Sequence, residues 1–247
     1  IIRKFENKKD TIKFKTWQGG PPKQKYLEPK YGFNRFNWDL RREPFKGVDN
    51  VFVYGSYSSG IAAPGNYDIK MNIGDKVYEN SFFVEPDPNF DFELSEYLEQ
   101  EELLLSIEKN IKNLNLTVSK ARNIKLQFED QIKKMAYKKE FSDLIKIAEE
   151  IINKINKWEQ KLIQPKQKTF QDVINFHNKL NAEFIYLHEY VNSLEPTITS
   201  GAKDRFIDLD NNFKMIMKTF KNEILGSIND YNIEFKIREI PSIILQN

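Results

Sequence analysis

The hydrophobic period changes at "VEPDPN" (Val84 to Asn89), and this limits what the chain can become more than any other feature. Two prolines there stop a strand ladder and stiffen the connection. Beyond them apolar residues recur at three and four. Leu104, Ile107, Ile111, Leu114, Val118 and Ala121 start the pattern, and Phe128, Ile132 and Met135 resume it. Phe141, Leu144, Ala148, Ile151, Ile155, Trp158 and Leu162 form a second set. Val173, His177, Leu180, Phe184, Leu187, Val191 and Leu194 form a third, and Phe206, Leu209, Phe213, Ile216 and Phe220 a fourth. Such seams predict amphipathic helices packed as an antiparallel bundle of about four, the first running roughly 40 residues or about 60 Å. Asp91 or Ser95 is expected to cap the first helix and Thr197 the fourth, and Pro165 separates the second from the third.

Before the prolines apolar residues alternate, the period of half-buried strands. Ile12, Phe14 and Thr16 alternate with lysines. Phe36, Trp38 and Leu40 alternate with Arg35, Asn37, Asp39 and Arg41, and Tyr67, Ile69 and Met71 with Asp68, Lys70 and Asn72. "QGGPP", "APGN" and "IGDK" supply turn chemistry. The expected class is therefore α+β in two domains: an Ig- or fibronectin-like β-sandwich over 1–87, lacking its first strand or strands, and a helical bundle over 88–247. Phe36, Trp38 and Leu40 are expected in the sandwich core and Trp158 in the bundle core. A buried Trp38 would lose about 3–5 kcal/mol on truncation to alanine. The chain opens on "IIRKF", an apolar strand-like run without methionine, which reads as a chain entered part-way through a domain.

Composition narrows the function. The 247 residues are 40% hydrophobic and 30% charged, enough for a core. A net charge of +2 argues against a nucleic-acid partner. The absence of cysteine removes thiolate chemistry, and no apolar run reaches the roughly 18 residues of a membrane span. His177 and His188, read on one helix, stand about 16 Å apart along its axis, too far for one metal ion. "GSYSSG" (Gly55 to Gly60) lacks the glycine offsets of a nucleophile elbow. "DLDNN" (Asp208 to Asn212) lacks the glycine and closing glutamate of a calcium loop. No catalytic residue, cofactor or metal is assigned. Asn115-Leu116-Thr117 fits an N-glycosylation sequon inside a helix, and Asp10-Thr11-Ile12 resembles a short bacterial O-glycosylation motif at Thr11.

"GFNRFNWDLR" (Gly32 to Arg41), "APGNYDIKM" (Ala63 to Met71), "GDKVYENSFFVEPDP" (Gly74 to Pro88), "FQDVINFHNKLNAEF" (Phe170 to Phe184) and "EPT" (Glu195 to Thr197) occur in that order. Together they resemble the C-terminal region of large bacterial proteins carrying sortilin-like or BNR (sialidase-like, "glycosyl hydrolase") β-propeller repeats. The resemblance implies an exported protein, periplasmic or at the cell surface of a Bacteroidota-like organism, with a propeller upstream. The family's catalytic residues would belong to that propeller, and none maps here. The expected function is a non-catalytic structural or interaction module, docking to its own propeller or a cell-envelope complex. One alternative is a glycan-binding accessory domain of a secreted hydrolase, with Tyr31, Phe33, Tyr54 and Tyr57 as the stacking surface. Another is an export adaptor or chaperone-like helical module.

Overall fold

A computed structural model describes residues 1–7, 19–21, 25–238 and 240. The alternating run from Ile12 to Thr16 and the Thr11 motif lie outside the described residues. Helix α1 spans Leu94–Met135, α2 Ser142–Leu162, α3 Asp172–Asn175, α4 Leu180–Val191, α5 Ser200–Thr219 and α6 Leu225–Ile237. Side-chain pairings fix their directions. Arg122 of α1 meets Glu159 of α2 at 2.7 Å and Lys125 meets Asn156 at 3.0 Å, so these helices are antiparallel. Gln100 of α1 donates to the Val191 carbonyl at 2.8 Å, and Asn115 accepts from Asn181 at 2.5 Å, so α4 is antiparallel to α1 as well. Glu99 pairs with Lys203 and Asn110 with Asp210, so α5 runs parallel to α1. The helices therefore stand in three columns: α1, then α2 and α4 end to end, then α5 with α6. This corrects the expectation of about four antiparallel helices. The third seam breaks over 176–179, and α4 covers the half of α1 that α2 leaves open.

The helix ends follow from local chemistry. Glu93 caps α1 in a reciprocal capping box with Glu96, in place of Asp91 or Ser95. Thr199 caps α5 by accepting from the Ala202 N–H at 3.2 Å, and Thr197 donates to Glu96 instead. Between α5 and α6 the helix takes a π turn over Phe220–Ile224. A strict heptad after Phe213, Ile216 and Phe220 would place Glu223 on the seam. The extra residue of the π turn puts Ile224 there, 1% exposed, and leaves Glu223 in water.

The β-sandwich is not formed. Helix accounts for 53% of the chain, and the described sheet is one antiparallel hairpin, β1 Gly65–Ile73 and β2 Lys76–Val84, with Tyr67 opposite Phe82 and Ile73 opposite Lys76. Gly74 closes the turn at φ 58. The run Gly32 to Arg41 is not a strand. Leu40 sits at φ 55, outside the extended region, and Phe36 is 44% exposed. Leu40 is half-buried, and so is Trp38, which packs edge-on against Tyr67 and Phe82 at 5.9 and 6.3 Å. The three expected core residues thus stand outside the main core, and truncation of Trp38 would loosen the base of the hairpin.

The buried side chains of this half come instead from Phe45, Val48, Val51, Val53 and Tyr57. These lie on an irregular strap that joins the same cluster as Leu104, Ile107, Phe184 and Ile185. The alternating runs thus contribute little to the core, and the consecutive buried residues Val51, Phe52 and Val53 of the strap, which do not alternate, pack there instead.

Trp158 is 2% exposed, stacks at 4.6 Å on Phe220 and donates Nε1–H to the Ile216 carbonyl at 3.0 Å. Trp158→Ala is expected to cost about 3–5 kcal/mol in urea unfolding, and Trp158→Phe, which deletes the hydrogen bond but keeps a ring, about 1–2 kcal/mol.

Candidate functional site

On α1 a polar stripe runs beside the apolar seam: Glu101, Glu108, Asn115 and Arg122, spaced by seven and so on one helix face. Each grips the strap over 42–63. Glu101 Oε1 accepts from Arg42 at 2.8 Å and from the Ala63 N–H at 3.4 Å. Glu108 Oε1 accepts from the Gly60 N–H at 2.9 Å and from Arg42 at 3.1 Å, while its Oε2 takes Arg42 Nε at 3.4 Å. Asn115 Nδ2 donates to the Lys46 carbonyl at 2.8 Å, and Arg122 donates to the Asp49 carbonyl at 2.8 Å. The strap has few neighbouring strands to satisfy its backbone, so helix side chains do it. Asn192, just past α4, accepts from the Ile61 N–H at 3.2 Å and closes the far side.

The centre is a three-residue clasp. Arg42 is 6%, Glu108 1% and His188 1% exposed. His188, on α4, places Nε2 at 3.3 Å from Glu108 Oε1, and its ring meets Phe45 edge-on at 5.0 Å. Arg42 also donates to the Ile61 carbonyl at 3.3 Å, and the Ser59 hydroxyl donates to the Arg42 carbonyl. Burial alone pushes the Glu108 carboxyl up. Hydrogen bonds from His188 and Arg42, the Arg42 charge and the Gly60 N–H outweigh it and bring the group down to about 2. Gly60 is required by contact: a Cβ there would run into the Arg42 guanidinium.

The arrangement holds a charge in place and offers it to nothing outside. The three side chains are buried, the acceptor positions of Glu108 face protein donors, and the half-exposed Lys112 lies 3.8 Å from its Oε2. Among the described residues no three His, Asp or Glu side chains are grouped to hold a metal ion, and no helix is long and apolar enough to cross a membrane.

The sequence-predicted residues fall elsewhere. His177 is exposed in the loop between α3 and α4, so the two histidines share no helix face. Tyr57 is 1% exposed, its hydroxyl finds no hydrogen-bond partner among the described residues, and burial pushes it above the usual phenol range. Its ring has no face for a ligand. Tyr54 is 54% exposed and meets Phe170 edge-on at 5.6 Å, while Tyr31 and Phe33 are 108% and 93% exposed. Asn115, the sequon residue, is 2% exposed with its amide donating to Lys46, which leaves no room for a glycan. Glu101, Glu108 and Arg42 were missed by motif reasoning. The signal available was the spacing by seven of polar residues beside a seam.

A scan against protein-family models, a search of curated proteins and a search of solved structures each found no match for this chain.

Removing one member of the clasp takes a buried partner from the others, although Arg42 keeps Glu101 and Glu108 keeps His188 and the Gly60 N–H. Glu108→Gln and Arg42→Met are each expected to cost about 2–4 kcal/mol in denaturant unfolding, and the pair Arg42→Met with Glu108→Leu to cost less than the two singles added. Glu108 is lower in the folded state than its ordinary 4.5, so its contribution is full above pH 4.5 and is lost as pH falls toward 2. That contribution is on the order of 3 kcal/mol at neutral pH. Asp143, held down to about 2 mainly by its hydrogen bond from Arg238, titrates in the same window, so the wild-type and Glu108→Gln stability profiles are compared. The profile of the variant is expected to be flatter between pH 4.5 and 2.

Proposed function

We propose that this chain is a non-catalytic interaction module of an exported bacterial protein, and that the hairpin is its docking element. One observation carries the reading. Cross-strand register puts Ile69, Met71, Ile73 and Tyr78 on the same face as Tyr67 and Phe82. Trp38 covers the base of that face, and beyond it Ile69, Met71, Ile73 and Tyr78 are 54%, 50%, 58% and 49% exposed. Phe83 and Val77 of the opposite face are 56% and 53% exposed. A lone hairpin is marginal in water, and among the described residues both outer edges carry backbone groups without ladder partners. An apolar face with two open edges suits a partner that adds a strand or lays a sheet against it.

The partner is a β-rich protein surface, and the resemblance to propeller-bearing proteins supports a propeller of the same protein or a cell-envelope complex. The clasp supports the same reading, because its charged groups are committed to holding the strap from which the hairpin emerges. A glycan-binding role rests on the nearly full exposure of Tyr31 and Phe33 alone.

Photo-reactive residues placed at Ile69 and Tyr78 in the native protein are expected to give adducts with a β-rich protein or segment, identified by mass spectrometry. Ile69→Asp with Tyr78→Asp is expected to cut binding to that partner about tenfold or more with the thermal melt unchanged. A folded protein that yields no adducts from either position would sink the proposal. Binding to immobilised glycans that is lost on Tyr31→Ala with Phe33→Ala would favour the glycan reading.

A further inference from the structure

A second surface lies on the side of α1 turned away from the polar stripe, where the helix passes the junction of α5 and α6. Between α1 and the α5–α6 column runs an open groove of about 540 Å³. Its floor is apolar: Ile124, Met217, Phe220 and Leu225. Four exposed lysines line it, Lys120 from α1 and Lys214, Lys218 and Lys221 from the facing column. The last three are spaced by four and three, so they follow one helix face. Lys214 pairs with Asp210 at 2.6 Å. Lys120, Lys218 and Lys221 have no carboxylate within ion-pair distance among the described residues, although the chain nets only +2. Like charges so placed on a helix repel one another. The π turn Phe220–Ile224 forms one wall, and such turns often mark functional positions.

We infer that this groove docks an acidic amphipathic helix from a protein partner. Charge complementarity selects the occupant: carboxylates along the flanks of the incoming helix would meet the lysines, while its apolar stripe meets the floor. The shape agrees. Lys214 to Leu225 covers about three helical turns, roughly 16 Å. Two columns running side by side leave the hollow into which a third helix packs its ridges. A nucleic-acid backbone would find no use for the apolar floor, and a flat membrane surface would not reach Phe220 inside the hollow.

The test uses the whole chain and labelled, stapled peptides of roughly four turns. One carries leucines at i, i+4 and i+7 flanked by glutamates, a second replaces the glutamates by glutamine, and a third by lysine. Fluorescence anisotropy is expected to show saturable binding of the acidic peptide, weaker by about tenfold or more for the glutamine peptide, and weakened by added salt. Lys120→Glu, Lys218→Glu and Lys221→Glu together alter exposed positions and are expected to keep the melt while losing about tenfold or more in affinity. Met217→Asp tests the floor with the lysines intact and is expected to weaken binding as well. A photo-reactive leucine in the acidic peptide is expected to label α1 and α5. Equal binding of the acidic and basic peptides, or undiminished binding by the triple variant, would overturn the inference. So would labelling confined to other elements. Lysine-dependent cosedimentation with phosphatidylglycerol vesicles, without binding of the acidic peptide, would overturn it in favour of a membrane surface.

Discussion

The buried Glu108 carboxylate is the interaction on which the rest of the structure depends. A charge taken out of water costs several kcal/mol unless donors surround it. Here three donors come from two separate parts of the chain: Arg42 and the Gly60 amide from the strap, and His188 from α4. The carboxylate therefore fixes α4 against α1 and the strap against both. Glu101, Asn115 and Arg122 repeat the device at intervals of one heptad, each bonding the strap backbone or Arg42. An irregular segment stays in place because its polar groups are met by a helix face.

That anchoring gives the hairpin its position. The strap ends at Ala62 and Ala63, both buried, and β1 begins two residues later with its side chains mostly in water. Rigid attachment followed by an exposed apolar face is an economical way to present a recognition surface, since little freedom is lost on binding. The lysine-lined groove is a product of the other column pair. It lies where the α5–α6 column passes α1 around the π turn, with Phe220, packed on Trp158, beneath it and Met217 and Leu225 beside it, and no helix among the described residues covers it.

The helical half was legible because its physics is local. Leu104 to Ala121, Leu144 to Leu162 and Leu209 to Phe220 are buried where the three–four spacing put them, and Trp158 lies at their centre. The cap of α5 was displaced by two residues because Thr197 and Thr199 both carry a usable hydroxyl, and the turn geometry chose the second. The hairpin register from Tyr67 to Phe82 follows from alternation and the Gly74-Asp75 turn. The site was less legible. Glu108 and Asn115 are polar residues on a helix, and nothing in residue type distinguishes a solvated face from one covered by a strap; only their spacing beside the seam pointed to it.

The sequence by itself determined the seams of α1, α2 and α5, where a hairpin turns and that no thiol chemistry is present, because each depends on neighbours within a few residues or on composition, whereas the break over 176–179 and helix α6 were not read from it. The tertiary structure decided the rest. Whether Phe36, Trp38 and Leu40 belong to a core depends on what faces them, and an alternating run reads the same beside a second sheet as beside a helix column. Leu40 at φ 55 and the helix side chains bonded to the strap settled it against a sandwich. Likewise, the seams could not say whether four helices stand side by side or three columns form with α2 and α4 end to end. That choice is made by long-range pairs such as Glu108 with His188 and Arg122 with Glu159, which form only when the chain is folded.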